Sequence, residues 1–223
     1  MNFEEFVLTA SLTDLDAEPE AREHADAVEF RMDLADDPLA QLRDYDGQLP
    51  VLATNRAEWE GGEAEEDDAR LAQLAEAAEL VCVEAVDVEL QSLTEGDGER
   101  VAERARRTGT KVVASVHNFE RTPPEPDLRG LLEAATDRAD VGKLAVTAEN
   151  RGDVLDLLTV THEFAEAGAR VATMAMGEPG RHSRAVAPLY GSRIGYAPVD
   201  PADATAPGQY DLATLARLVD DLR

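Results

Sequence analysis

Two residues hold most of the chemical promise of this sequence. Lys143 sits inside the apolar run Ala139-Asp140-Val141-Gly142-Lys143-Leu144-Ala145-Val146, and His117 lies near the end of another strand-like run, Lys111 to Phe119. Of the 21 basic residues only Lys111 and Lys143 are lysines, so a chain that otherwise uses arginine keeps an amine where burial costs most. Desolvation disfavours an ammonium, and this is how a lysine becomes a nucleophile that forms an imine with a carbonyl compound. Taken alone, the run fits equally well a lysine that snorkels out of a sheet or pairs with a carboxylate. A histidine one strand away suits the proton transfers that imine chemistry needs near neutral pH. His24 and His162 read as solvated or capping residues on helices, and His182 in a loop stays undecided. No two histidines have metal-ligand spacing with a carboxylate, so neither a metal nor another cofactor is expected.

The elements that must position these residues recur along the whole chain. Eight apolar, β-branched runs read as strands: Phe6 to Ser11, Ala27 to Asp33, Pro50 to Arg56, Leu80 to Asp87, Lys111 to Phe119, Ala139 to Val146, Arg170 to Met176 and Ser192 to Pro198. Acid-rich helical patterns separate them, among them Glu65 to Glu79, Glu99 to Thr108, Asp127 to Arg138, Asn150 to Ala167 and finally Asp211 to Leu222. Gly109 and Gly168 stand where two of these helices should stop. Eight strands, each followed by a helix with few exceptions, predict an α/β protein of the (β/α)8 TIM-barrel class, with residues 1–223 as a single domain. No glycine-rich first turn announces an open doubly wound sheet.

Alternation along the strands sets Glu29, Arg31, Asp33, Asp87, Glu89, His117 and Lys143 on the face opposite the apolar one. In a barrel the apolar face meets the helices, so the charged face points inward. Unpaired charges there would cost several kcal/mol each, to order of magnitude, so the interior must be a paired network, a wet pocket or an active site. Structural ion pairing stays open for Arg31, Asp33, Asp87 and Glu89. Met174 and Met176 share a face and would ordinarily be core. Arg184, beyond the glycines of Gly177-Glu178-Pro179-Gly180, could bind a carboxylate bidentately.

With 47 acidic and 21 basic residues the formal net charge is -26, which argues against nucleic acid or an anionic membrane as partner. So acidic a shell suits a salt-rich cytoplasm, and poor stability is expected at low salt. Cys82, the only cysteine, reads as core packing. The first residues show no charged-then-apolar leader and no apolar run approaches the ~20 residues of a membrane span, so a cytoplasmic location is expected.

Taken in order, the motifs resemble the type I 3-dehydroquinate dehydratases, of a haloarchaeal kind. Glu29-Phe30-Arg31-Met32-Asp33 is similar to that family's E-x-R-x-D strand, Ala53-Thr54-Asn55-Arg56 to its arginine strand, and Trp59-Glu60-Gly61-Gly62 to the loop that follows. Ser115-Val116-His117-Asn118-Phe119 resembles the histidine strand and Ala139 to Lys143 the Schiff-base lysine strand. Met174-Ala175-Met176-Gly177 with Ser183-Arg184 resembles the M-x-M…S-R segment, and Ala206-Pro207-Gly208-Gln209 the A-P-G-Q lid. The resemblance implies cis-dehydration of 3-dehydroquinate to 3-dehydroshikimate, the third step of the shikimate pathway. It assigns Lys143 to the imine, His117 to proton transfer and Glu60, in the loop, to a supporting catalytic role in positioning. It further implies that Glu29, Arg31 and Arg56 hold ring hydroxyls, Arg184 the carboxylate, and Gln209 the lid, with Ser11, Met174, Met176 and Thr205 also at the substrate. Relatives often pair, so a homodimer is expected.

Two departures stand out. Thr205 replaces the family's usual serine before A-P-G-Q, and the hairpin that plugs the barrel bottom in many relatives reads as missing or replaced, which leaves the closure of that end open. A class I aldolase would share the lysine but should carry a phosphate site after the seventh or eighth strand. A catalytically inert scaffold would need Lys143, His117 and Arg56 to be ion-pair filler.

Overall fold

Short runs rich in Val and Ala, with Thr among them, fold as strands because branched side chains pack well on a pleated surface, and their alternation decides which side faces in. The structure, a computed structural model, describes residues 1–65, 67–203, 206 and 208–223. Among these residues eight parallel strands form one sheet: β1 (Val7–Leu12), β2 (Ala27–Arg31), β3 (Val51–Thr54), β4 (Val83–Glu89), β5 (Lys111–Asn118), β6 (Val141–Thr147), β7 (Val171–Met176) and β8 (Ile194–Pro198). The sheet runs β7-β6-β5-β4-β3-β2-β1-β8, so the ends of the order are β7 and β8. These two meet through a single backbone bridge, Val171 to Ser192, which leaves the (β/α)8 barrel nearly closed.

Around the sheet lie α1 (Glu18–Ala21), α2 (Pro38–Asp44), α3 (Asp67–Ala77), α4 (Leu90–Glu95), α5 (Gly98–Thr108), α6 (Glu125–Thr136), α7 (Arg151–Glu166), α8 (Ser183–Val186) and α9 (Leu212–Leu222). Asn150 caps α7 in a reciprocal box with Asp153, while Gly109 and Gly168 end α5 and α7 with φ of +83° and +85°. The outward strand residues Val28, Phe30, Val86, Val88 and Val112 pack against Leu71, Leu74 and Val101 of the helices.

Inside the barrel the rows change character from bottom to top. Leu52, Ala85, Val113, Val141, Ala172 and Ile194 make an apolar floor, and Phe3, fully buried, joins them. The N-terminal segment therefore contributes one phenylalanine to the closure of the barrel bottom. Two residues further along the strands the inward positions become Glu29, Thr54, Asp87, Ser115 and Lys143, all buried and all polar. The active end is thus built on a dry base.

Two expectations shift. The run Leu80-Val81-Cys82 is turn, not strand: β4 starts at Val83 and runs on to Glu89, and Val81 is fully exposed. An apolar residue in a turn looks like a strand residue until its neighbours are known. His24 lies in the exposed turn after α1, outside any helix. Cys82 packs half-buried against the core, as expected, its thiol donating to the Leu42 carbonyl at 3.2 Å.

None of the described helices is long and apolar enough to cross a membrane. With a formal charge of -26 the folded chain repels itself, and raising salt from 0.1 M to 1 M shortens the screening length from about 10 Å to about 3 Å. The melting temperature followed by circular dichroism should therefore rise by at least about 10 °C between 0.1 M and 3 M KCl, or about 3 kcal/mol for a chain of this size. A flat or falling melting curve would count against the acidic shell as the source of instability.

Candidate active site

Lys143 Nζ lies in a cage of three strands. It donates to Asp87 Oδ2 at 2.9 Å, stands 4.0 Å from Glu29 Oε1, and lies 4.2 Å from the ring centroid of Tyr196. Neighbouring registers add to this cluster: Ser115 pairs with Lys143 on β6 and with Glu89 on β4, so one row holds these three. Asp87 is the hub. Its Oδ1 accepts from Arg56 at 2.7 Å and from the Ser115 hydroxyl at 2.6 Å. Arg56 continues to Glu89 at 2.8 Å, and Glu89 to Arg70 at 2.8 Å. Charges alternate along this chain, which is how five buried ions avoid the cost of isolation. Arg56 and Lys143 hold the Asp87 carboxyl far below the usual carboxylate range, although burial alone would raise it. Arg56 spends both terminal nitrogens on this network while still lining the cavity.

His117, at the top of β5, is held by Glu60 from the turn Glu58–Glu60 that follows β3. One oxygen, Glu60 Oε1, accepts from the His117 backbone N–H at 2.7 Å and lies 2.9 Å from Nδ1. Phe119 stacks on the imidazole at 5.9 Å. Burial, helped by Glu89 and Asp87 and opposed by Arg56, pushes the Glu60 carboxyl up to about 7. Burial, then Arg56 and Lys143, pushes the imidazole well below its ordinary value. Glu60 therefore changes charge near neutrality, while the imidazole beside it is held neutral there. Once Glu60 ionises, Nδ1 must carry hydrogen and donate to it, which leaves Nε2 bare as a base.

A small cavity of about 70 Å³ opens at this end of the barrel. Of the residues expected at the site, Lys143, His117, Glu29, Arg31, Arg56, Met174, Met176, Arg184 and Gln209 line it together. Ser11 and Glu60 stand one layer behind. Ser11 donates to Glu29 Oε2 at 2.7 Å, and Thr54 to the other oxygen at 3.2 Å, so Ser11 acts on the carboxylate that faces the cavity. Arg31 is paired with Asp33 through two bonds of 2.9 and 2.6 Å. Gln209 Oε1 accepts from the Ala206 N–H at 3.1 Å. Thr205 and Pro207 of the lid motif lie outside the described residues. His162 and His182 are exposed and take no part.

Arg184 differs from every other arginine in the barrel mouth. It is buried, its Nε has no hydrogen-bond partner, and among the described residues no carboxylate is paired with it. Burial pushes its guanidinium down to about 10. An uncompensated buried cation is a site made for an anion. A larger groove between α3 and α5, lined by Leu71, Arg100 and Arg104, lies outside the barrel and brings none of these groups together.

Two residues in contact with Lys143 were not read as site residues. In the sequence Asp87 reads equally as structural ion pairing, because alternation reveals its face but not its partner. Tyr196 was missed: it shares the inward side of β8 with Ile194, and only barrel closure brings its ring to Lys143.

Comparison with known proteins bears on the whole chain. The family model for type I 3-dehydroquinase matches residues 7–222. A 3-dehydroquinate dehydratase from Haloarcula marismortui is 58% identical over 227 residues, covering 100% of this chain and 99% of that one. Another, from Halobacterium salinarum, is 55% identical over 226 residues and covers 100% of both. Among solved structures, a 3-dehydroquinate dehydratase from Geobacillus kaustophilus superposes with a TM-score of 0.87 at 28% identity, covering 98% of this chain and 91% of that one. A type I enzyme from Clostridium difficile, with covalent modified comenic acid, gives 0.84 at 28% identity, covering 98% and 92%. With a family match over almost its full length and relatives aligned end to end, the chain belongs to the type I 3-dehydroquinase family.

Proposed function

We propose that the chain carries out the reaction of its family, loss of water from 3-dehydroquinate to give 3-dehydroshikimate in the shikimate pathway, through an imine on Lys143. The observation behind this reading is that an amine and an uncompensated guanidinium face one cavity. The first can add to a ketone and the second can take the carboxylate of the same small molecule.

Lys143 Nζ adds to the ketone carbon, and the ketone oxygen leaves as water to give an iminium. His117 Nε2 takes the proton from C2, and the electron pair moves into the enamine. That pair then expels the C1 hydroxyl, which takes the proton back from His117 and departs as water. Hydrolysis of the conjugated iminium consumes the first water and frees both product and amine, so one water is lost overall. Glu60 holds the imidazole in the required tautomer. Glu29, Arg31 and Arg56 meet the ring hydroxyls, Met174 and Met176 its apolar flank, and Gln209 and Thr205 close the mouth. Ser11 contributes through Glu29.

On this reading residues 1–223 are one catalytic domain, working in the cytoplasm as a homodimer. Light scattering in molar salt should give twice the chain mass; a single-chain mass removes the dimer and leaves the chemistry. The reaction itself is tested by enone absorbance rising when 3-dehydroquinate is added in molar salt without metal. Borohydride added with 3-dehydroquinate should modify Lys143, while a phosphosugar should not. An unmodified Lys143 peptide in the mass spectrum would reject the imine.

The Glu60–His117 pair gives the pH dependence its sign. Glu60, with its carboxyl raised to about 7, is protonated below that pH and cannot support an imidazolium, so kcat should rise with pH through about 7. Glu60→Gln should lower kcat by about 10²-fold, the lower end of what general acid–base catalysis contributes, and erase that inflection. A Glu60→Gln profile with the wild-type inflection would place the titration elsewhere.

A further inference from the structure

The seam between β7 and β8 is built unlike the rest of the barrel. At its lower end Val171 bridges Ser192, and the Arg193 N–H donates to the Val171 carbonyl at 2.7 Å. Above that point the backbone of β7 finds side chains where a neighbouring strand would ordinarily pair with it. The Thr173 N–H donates to Ser192 Oγ at 3.0 Å, and the Ala175 N–H to Ser183 Oγ at 2.8 Å. The Ser183 hydroxyl also lies 3.3 Å from the Ala175 carbonyl. Both serines are buried, Ser183 completely. Buried backbone groups must be paired, so the two hydroxyls supply what an open seam would leave wanting.

The opening has a use. A small second cavity lies at the seam, lined by Thr173, Ser192, Arg184, Met174 and Tyr196. The last three also line the main cavity, so Arg184 belongs to both. Arg184 comes from α8, a helix of four residues too short to place a long side chain by itself. Its immediate neighbour is the serine fastened to β7. Gly180 allows the approach: a Cβ there would stand 2.6 Å from both the Ala175 and Met176 carbonyl oxygens.

We propose that Ser183 is a positioning residue for substrate binding: its double contact with Ala175 fixes α8 against the open seam and so aims Arg184 at the substrate carboxylate. The inference rests on the carboxylate reading of Arg184 given above. Among the described residues no side chain pairs with the Arg184 guanidinium, so its place is set by the residue beside it. Ser192 closes the same seam lower down; it lines the same small cavity but is not next to Arg184 in the chain and does not fasten α8. It serves as the structural control.

The experiment compares Ser183→Ala, Gly180→Ala and Ser192→Ala in molar salt, using 3-dehydroquinate and the same ring ketone lacking the carboxylate. Borohydride trapping on Lys143 gives half-saturation for both compounds, and enone formation gives kcat. Ser183→Ala should raise KM for 3-dehydroquinate about tenfold with kcat within twofold, because the carboxylate is held alike in ground and transition states. Half-saturation for the carboxylate-free ketone should not change. Gly180→Ala should do the same by lifting α8 off β7, which keeps the test alive if Ser183→Ala fails to fold. Ser192→Ala should leave KM within twofold even at an equal loss of melting temperature. An unchanged KM in Ser183→Ala or Gly180→Ala, or an equal rise in Ser192→Ala, overturns the assignment. If wild type itself forms no Lys143 adduct, the proposed function falls; if it does and Ser183→Ala matches it, only the role of Ser183 falls.

Discussion

Replacing Lys143 with alanine is expected to lower kcat by at least about 10⁴-fold, as removal of a covalent nucleophile does, and to abolish the borohydride adduct. Lys143→Arg is the sharper variant. It keeps a cation facing Asp87 Oδ2, which Lys143 meets at 2.9 Å in the wild type, but a guanidinium does not lose a proton to attack a ketone. Lys143→Arg should therefore be as inactive as Lys143→Ala while retaining more of the wild-type melting temperature. Activity above about one per cent in either variant would mean that the amine is not the nucleophile. Retained activity with loss of the adduct would reduce Lys143 to a binding group.

Asp87→Ala should produce the largest loss of stability in the barrel mouth. The substitution removes the acceptor of Arg56, Ser115 and Lys143 together, and leaves Lys143 without its 2.9 Å partner in a buried site. Breaking a buried pair in this way costs about 3–5 kcal/mol, or roughly 10 °C or more in melting temperature for a chain of this length. Adding Lys143→Met to Asp87→Ala should recover part of that loss, since Arg56 still has Glu89 at 2.8 Å. The sign with pH follows from the depressed carboxyl. Asp87 titrates far below the ordinary range, so its contribution is complete above about pH 4 and is lost only on further acidification. The gap between wild type and Asp87→Ala should thus be constant from about pH 5 upward. A gap that opens or closes near neutrality would place the dependence on another group.

Much of the barrel could be read from periodicity, because the strands alternate cleanly and burial on both faces is written into their composition. Lys143 and His117 stood out for the same reason: each is a polar residue on an inward face. What could not be read depends on contacts between distant strands. Asp87 and Tyr196 reach Lys143 only once β4, β6 and β8 are wrapped round one axis. Phe3 gives no periodic signal at all, since a single residue before β1 has no neighbours to alternate with. The turn at Leu80 to Cys82 misled through its hydrophobicity. The unfinished β7–β8 seam was invisible because its serines look like ordinary loop residues until their hydroxyls are placed.

The lone guanidinium of Arg184 also bears on the end of the catalytic cycle. The carboxylate it would hold is untouched by dehydration, so starting ketone and finished enone present it with the same charge. Its attraction then lowers the free energy of both bound states about equally and does little for the barrier between them. The same arginine that captures substrate would retain product. Product that accumulates would compete for the site, so flux through the enzyme would depend on whatever next removes the enone.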